Sequence, residues 1–106
     1  MIEVRARLWL EADSKFILST GRAELLRHIR ETGSIAKAAK LMGMSYSHAW
    51  TQIREMSDAA GGALVETARG GRSGGSSKLS KLGIEILKQF EKEMEMLDRH
   101  LSERNG

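Results

Sequence analysis

Ser45, Ser47, His48, Thr51 and Gln52 lie close together and carry hydroxyl, imidazole and amide groups. These are short-reach hydrogen-bonding groups of the kind that pair with base edges in a DNA groove. Lys37 and Lys40 upstream, and Arg69 and Arg72 downstream, add positive charge that suits phosphate. None of these groups is set out for bond-making chemistry. His28, His48 and His100 fall on separate expected helices without ligand spacing, and there is no cysteine to supply a thiolate. The glycine-rich run from Gly70 to Gly75 is followed by Ser76, where a nucleotide phosphate loop requires lysine. The sequence therefore argues against an enzyme, and neither a cofactor nor a metal is expected.

The elements that would position these groups follow from the pattern around them. Ser34 can cap a short helix on which Ile35, Ala38, Ala39 and Met42 recur at helical spacing, and Gly43 ends it. Ser45 can cap a second helix after a link of about three residues, so the two axes must cross steeply, as in a helix-turn-helix. Placed at about 100° per residue, Tyr46, Ala49, Trp50, Ile53 and Met56 share a buried arc, with Trp50 and Tyr46 expected at the centre of the core. Ser47, His48, Thr51, Gln52, Glu55 and Asp58 fall opposite. Such a helix reads bases with its N-terminal turns, while Glu55 and Asp58 would repel phosphate and tilt its far end away. The polar outer face of any surface helix looks similar, and Lys37 and Lys40 suit either phosphate contact or a solvated face.

Before this pair, Val4, Ala6, Leu8 and Leu10 alternate with Arg5, Arg7, Trp9 and Glu11, the period of a half-buried strand. Ala12 to Lys15 has turn chemistry, and Phe16-Ile17-Leu18 can return as a second strand. Arg5 and Arg7 read as solvated strand charges. Ser19 or Thr20 can cap a helix running to about Thr32, with Leu25, Leu26 and Ile29 inward, Arg22, Arg27 and Arg30 outward, and Gly33 as its stop.

After the pair, Leu64 to Thr67 and Lys78-Leu79 are short strand candidates around Ala68 to Ser77. Arginines in a glycine-rich loop beside a reading helix suggest the wing of a winged helix, with Arg69 and Arg72 toward phosphates or the minor groove. Ser80 can cap a last helix from Lys81 to Leu101. On it Leu82 and Ile86 can pack inward, whereas Leu87, Phe90, Met94, Leu97 and Leu101 step by three, four, three and four, as in a coiled-coil seam. A helix about 30 Å long offers more surface than so small a body can cover, which favours a homodimer through this seam. The alternative is that the seam packs on the chain's own hairpin.

The 106 residues, 41% of them hydrophobic, fit one domain over 1–106: a hairpin at 1–18, a three-helix core at 21–60, a wing at 64–79 and a dimerisation helix at 81–101. The fold class expected is mainly α with small β. The charge is uneven. Arg69, Arg72, Lys78 and Lys81 face only Glu66 in the segment before the last helix, while residues 83–106 carry an acidic excess. No run reaches the length of a membrane span and the N-terminus lacks a signal-like apolar core, so a cytoplasmic protein without membrane contact is expected.

Gly33-Ser34-Ile35 with Ala38-Ala39, Met44-Ser45-Tyr46 with Ala49-Trp50, Leu64-Val65, the Gly70-Gly71 and Gly74-Gly75 loop, and Leu79-Ser80 with Gly83 together resemble the N-terminal DNA-binding domain of ModE-type molybdate-responsive transcriptional regulators. The likeness spans nearly the whole chain, and the helix-turn-helix with its long last helix also looks like that of LysR-type regulators. It implies a winged helix that dimerises through its terminal helices and binds a roughly palindromic operator on double-stranded DNA. It does not imply molybdate binding here. Full members carry a C-terminal oxyanion-binding region, and no molybdate site is expected before Gly106. The competing reading is a winged-helix module that binds another protein and no DNA.

Overall fold

The apolar periodicities become four helices and two antiparallel hairpins in the computed structural model, which describes residues 1–68 and 76–106. The order is β1 (Leu10–Ala12), β2 (Lys15–Leu18), α1 (Thr20–Thr32), α2 (Ile35–Leu41), α3 (Tyr46–Ala60), β3 (Val65–Ala68), β4 (Ser76–Leu79) and α4 (Lys81–Asn105). This is an α+β winged helix. Its core joins Leu25, Leu26 and Ile29 of α1 to Ile35, Ala38 and Ala39 of α2 and to Ala49, Ile53 and Met56 of α3. Leu18, Leu64, Leu87 and Phe90 close it, each 2% exposed or less.

The first hairpin is shorter than the alternation suggests. Asp13 (φ 49°) and Ser14 (φ 67°) form the two-residue turn, both in the left-handed region that a type I′ hairpin needs. The four-residue β2 reaches back only to the Leu10↔Leu18 pair, where the register slips. Met1 to Trp9 therefore have no strand beside them among the described residues, although no turn or bend interrupts them. Ser19 does precede α1, but its hydroxyl makes no cap bond and donates instead to the Leu8 carbonyl at 2.7 Å.

The second hairpin is fixed at its base. Val65↔Leu79 through Ala68↔Ser76 pair in register, so Ala68, Ser76 and Ser77, read as loop from sequence, are strand residues. The Ser77 amide donates to the Gly33 carbonyl at 2.9 Å, which ties β4 to the link between α1 and α2. Ser80 joins this hairpin to α4. Its amide donates to Leu64 O at 2.9 Å, its hydroxyl donates to Ala63 O at 2.7 Å, and the same oxygen accepts from the Gly83 amide at 2.9 Å. A β-carbon on Gly83 would collide with the Leu64 carbonyl, so that position requires glycine.

α4 continues to Asn105, past the expected end at Leu101. Two of its seam residues are not free for a partner. Leu87 (0% exposed) and Phe90 (2%) lie in the chain's own core, because α4 packs on α1 along its first half. Met94, half-buried, still packs against the edge of this core, and Leu97 and Leu101 stay half-exposed beyond it. Arg27 and Arg30, expected outward, both reach Glu91, at 3.2 and 3.5 Å, so this carboxylate ties α1 to α4.

Candidate nucleic-acid interface

α2 and α3 form a tight helix-turn-helix whose joints are set by side chains. The Ser34 hydroxyl accepts from the Lys37 amide at 3.1 Å and starts α2. At its end Gly43 adopts φ +67°, its amide bonds to Lys40 O, and the Met44 amide reaches back to Ala39 O at 3.0 Å. This paired closure uses the Ala39 and Lys40 carbonyls in the last turn of α2 and turns the chain sharply. Ser45 immediately caps α3, its hydroxyl accepting from the His48 amide at 3.1 Å. Ala38, Ala39, Ala49 and Ile53 bury the inner faces, and this fixes which side of α3 looks outward.

That outer side is polar and largely pre-bonded. Ser47, His48 and Thr51 are exposed and Gln52 is half-buried. The Thr51 hydroxyl donates to Ser47 O at 3.0 Å, which leaves its lone pairs as acceptors. The Gln52 amide nitrogen lies 3.2 Å from His48 Nε2, while Gln52 Oε1 is buried with no partner among the described residues. Rotating the amide by half a turn would exchange the two atoms. Either way Gln52 and His48 hold each other's rotamer along one helical turn. Ser45 and Ser47 hydroxyls lie 3.4 Å apart.

Two residues join this surface that the helical arc did not assign to it. Tyr46 is 54% exposed, with its ring edge-on to half-buried Trp50 at 6.3 Å. The expected place for both at the centre of the core is corrected: Tyr46 lies at the surface, and Trp50 packs only against the edge of the core. Arg54 is exposed and follows Ser47 and Thr51 at seven and three residues, on the same stripe. That spacing was available from the sequence.

The charges sort into bound and free. Glu55, expected to repel phosphate, is neutralised by Arg22 at 3.2 Å. Arg22 is itself held over the Phe16 ring at 5.2 Å, with its side chain only 19% exposed. Lys37, Lys40 and Arg54 are exposed and make no ion pair with another described residue. Arg69 and Arg72 lie outside the described residues. Lys78 sits opposite Glu66 across the second hairpin, at 3.9 Å. Among the described residues, no three His, Cys, Asp or Glu side chains gather as a metal site would require, and no helix is long and apolar enough to cross a membrane.

The model of the bacterial regulatory helix-turn-helix protein, lysR family, matches residues 21–83, from the start of α1 to the first turn of α4. The chain belongs to this family. It is 37% identical over 84 residues to the DNA-binding transcriptional dual regulator ModE of Escherichia coli K12, covering 79% of this chain and 32% of that protein. It is 39% identical over 85 residues to the molybdenum transport protein ModE of Azotobacter vinelandii, covering 80% and 32%. It is 36% identical over 69 residues to the molybdenum-pterin-binding protein MopA of Rhodobacter capsulatus, covering 65% and 26%. The chain thus spans about a third of the length of the ModE relatives, and the resemblance read from the sequence holds for that part.

Proposed function

We propose that this chain is a transcriptional regulator that binds duplex DNA as a homodimer, with α3 in the major groove and the β3–β4 hairpin along the backbone or in the minor groove. The observation that carries this reading is the outer stripe of α3, a polar row kept at the surface by a helix whose inner face is locked in a lysR-family core. Ser45 orients the helix. Ser47, His48, Thr51 and Gln52 meet base edges, and a glutamine can bond both N6 and N7 of one adenine. Lys37, Lys40, Arg69 and Arg72 meet phosphate or the minor groove, joined by Arg54 and the Tyr46 hydroxyl. Met94, Leu97 and Leu101 are the part of the α4 seam left for a second copy, whose symmetry calls for two half-sites. A DNA partner places the protein in the cytoplasm.

The test is fluorescence anisotropy of labelled duplexes, one drawn from a selected pool and one random, across a salt series. The affinity constant should fall on a log–log plot by about 0.9 per phosphate neutralised, with the selected duplex bound more tightly at every salt. Absence of binding even at low salt would leave the protein-interaction reading. We assign a response to molybdate to no residue of this chain, although relatives carry molybdenum in their names.

A further inference from the structure

Met1 to Trp9 carry the alternation of a strand and run without turn or bend, yet among the described residues no strand lies beside them. Two anchors fix how they are turned. The Val4 amide donates to Asn105 Oδ1 at 2.9 Å, and Asn105 Nδ2 donates back to Val4 O at 2.9 Å, so both backbone groups of Val4 point at the end of α4. Leu8 O accepts from the Ser19 hydroxyl at 2.7 Å. In an extended chain the backbone groups of residues two and four apart share an edge. Val4 and Leu8 therefore present the same edge to their own molecule, and Glu3, Arg5 and Arg7 present the opposite one. Among the described residues no backbone group of Glu3, Arg5 or Arg7 has a partner. A strand edge open in this way, with Ile2 96% and Val4 39% exposed beside it, is a template for another strand.

We propose that this open edge pairs antiparallel with the same segment of a second copy of this chain, across a two-fold axis through Val4. This rests on the homodimer reading above and names a second element of that dimer. The sequence of the arm is self-complementary in this register. Glu3 falls opposite Arg5 of the second copy, and Arg5 opposite its Glu3. On the other face Val4 meets Val4, and Ile2 meets Ala6. The two-fold axis closes the pairing at two strands, and the charged side chains discourage further addition. The arm is latched to Asn105, the last helical residue of α4, so the pairing continues the half-exposed strip of Met94, Leu97 and Leu101.

Sedimentation equilibrium of the full chain tests this through the parity of the edge. Proline at an odd position removes an amide from the open edge, whereas proline at Ala6 removes one from the inner edge. Arg5→Pro is expected to raise the dimer dissociation constant about tenfold, since the symmetric pair loses two backbone bonds, while Ala6→Pro leaves it nearly unchanged. Glu3→Arg and Arg5→Glu should each weaken the dimer several-fold, and the double variant should restore it. Far-UV circular dichroism identifies any variant that has lost its fold. A dimer indifferent to all these changes overturns the arm pairing and leaves the α4 interface standing. A wild-type chain that stays monomeric overturns both. Variants that lose DNA affinity at an unchanged dimer constant also overturn it, and assign the arm to DNA.

Discussion

Replacing Ser80 by alanine perturbs the joint on which the wing and the long helix both depend. The hydroxyl caps α4 through the Gly83 amide at 2.9 Å, and loss of such a cap costs about 1 kcal/mol. The same hydroxyl is a donor to Ala63 O at 2.7 Å, and Ser80 is 7% exposed. A carbonyl deprived of its donor there costs a further ~1–2 kcal/mol, less where water reaches it. The sum, about 2–3 kcal/mol, is a large part of the ~5–15 kcal/mol that stabilises an ordinary domain. At roughly 4–6 °C per kcal/mol for a chain of this size, the midpoint of thermal unfolding should fall by about 10 °C or more. Urea unfolding followed by circular dichroism at 222 nm gives the free energy directly. Ser80→Thr keeps the hydroxyl and should lose much less. A loss below about 0.5 kcal/mol for Ser80→Ala would refute the double role and reduce Ser80 to a solvated helix start.

Three further outcomes follow from particular contacts. Arg22→Gln leaves Glu55 unpaired beside the reading stripe. DNA affinity at low salt should drop several-fold and recover in the Arg22→Gln, Glu55→Gln double variant, while stability changes by only about 0.5–1 kcal/mol because the pair is partly solvated. Leu87→Ala should cost about 2–5 kcal/mol of unfolding free energy, whereas Leu101→Ala should cost far less stability and chiefly raise the dimer dissociation constant. Tyr46→Phe should weaken DNA binding in anisotropy with unfolding free energy unchanged within about 0.5 kcal/mol, since its ring stays on Trp50 and only the exposed hydroxyl goes.

What the sequence made legible was whatever rests on local periodicity and capping. Ser34, Ser45 and Ser80 cap their helices as their positions suggest, because a cap is decided by a hydroxyl and an amide three residues on. Gly33 and Gly43 end theirs in left-handed geometry for equally local reasons. Long-range competition decided the rest. Ser19 stands where a cap would, yet its hydroxyl accepts no amide of α1 and is used only as a donor to the distant Leu8 carbonyl. Leu87 and Phe90 satisfy a coiled-coil spacing and a core-facing spacing equally well, since both repeat by three and four, and only the packing of α1 on α4 chooses between them. Tyr46 lies on the apolar arc of α3 yet is 54% exposed, because an arc gives a direction and does not say whether another element lies there. The alternation of Val4 to Leu8 promised a strand, but β2 is too short to pair with it and no other strand of the described residues lies beside it.

The pairing of charges changes what the composition means for DNA. A net charge of +3 with 17 basic residues suggests a diffuse attraction, but the arginines of α1 are largely engaged. Arg27 and Arg30 share Glu91, and Arg22 is held by Glu55. Lys37, Lys40 and Arg54 on the helix-turn-helix make no ion pair among the described residues, and Arg69 and Arg72, outside those residues, are the cations proposed for the wing. If only the first three act in each copy, a dimer neutralises six phosphates and the log–log salt slope is about −5; with both wing arginines it approaches about −9. The difference belongs to the wing alone. Replacing Arg69 and Arg72 by alanine should therefore flatten the slope by about 3–4 while leaving sequence preference intact, and Gln52→Ala should do the reverse. A slope near −5 in the unaltered chain would show that the wing arginines do not reach phosphate, and would leave the helix-turn-helix to bind with Lys37 and Lys40 of α2 and Arg54 of α3.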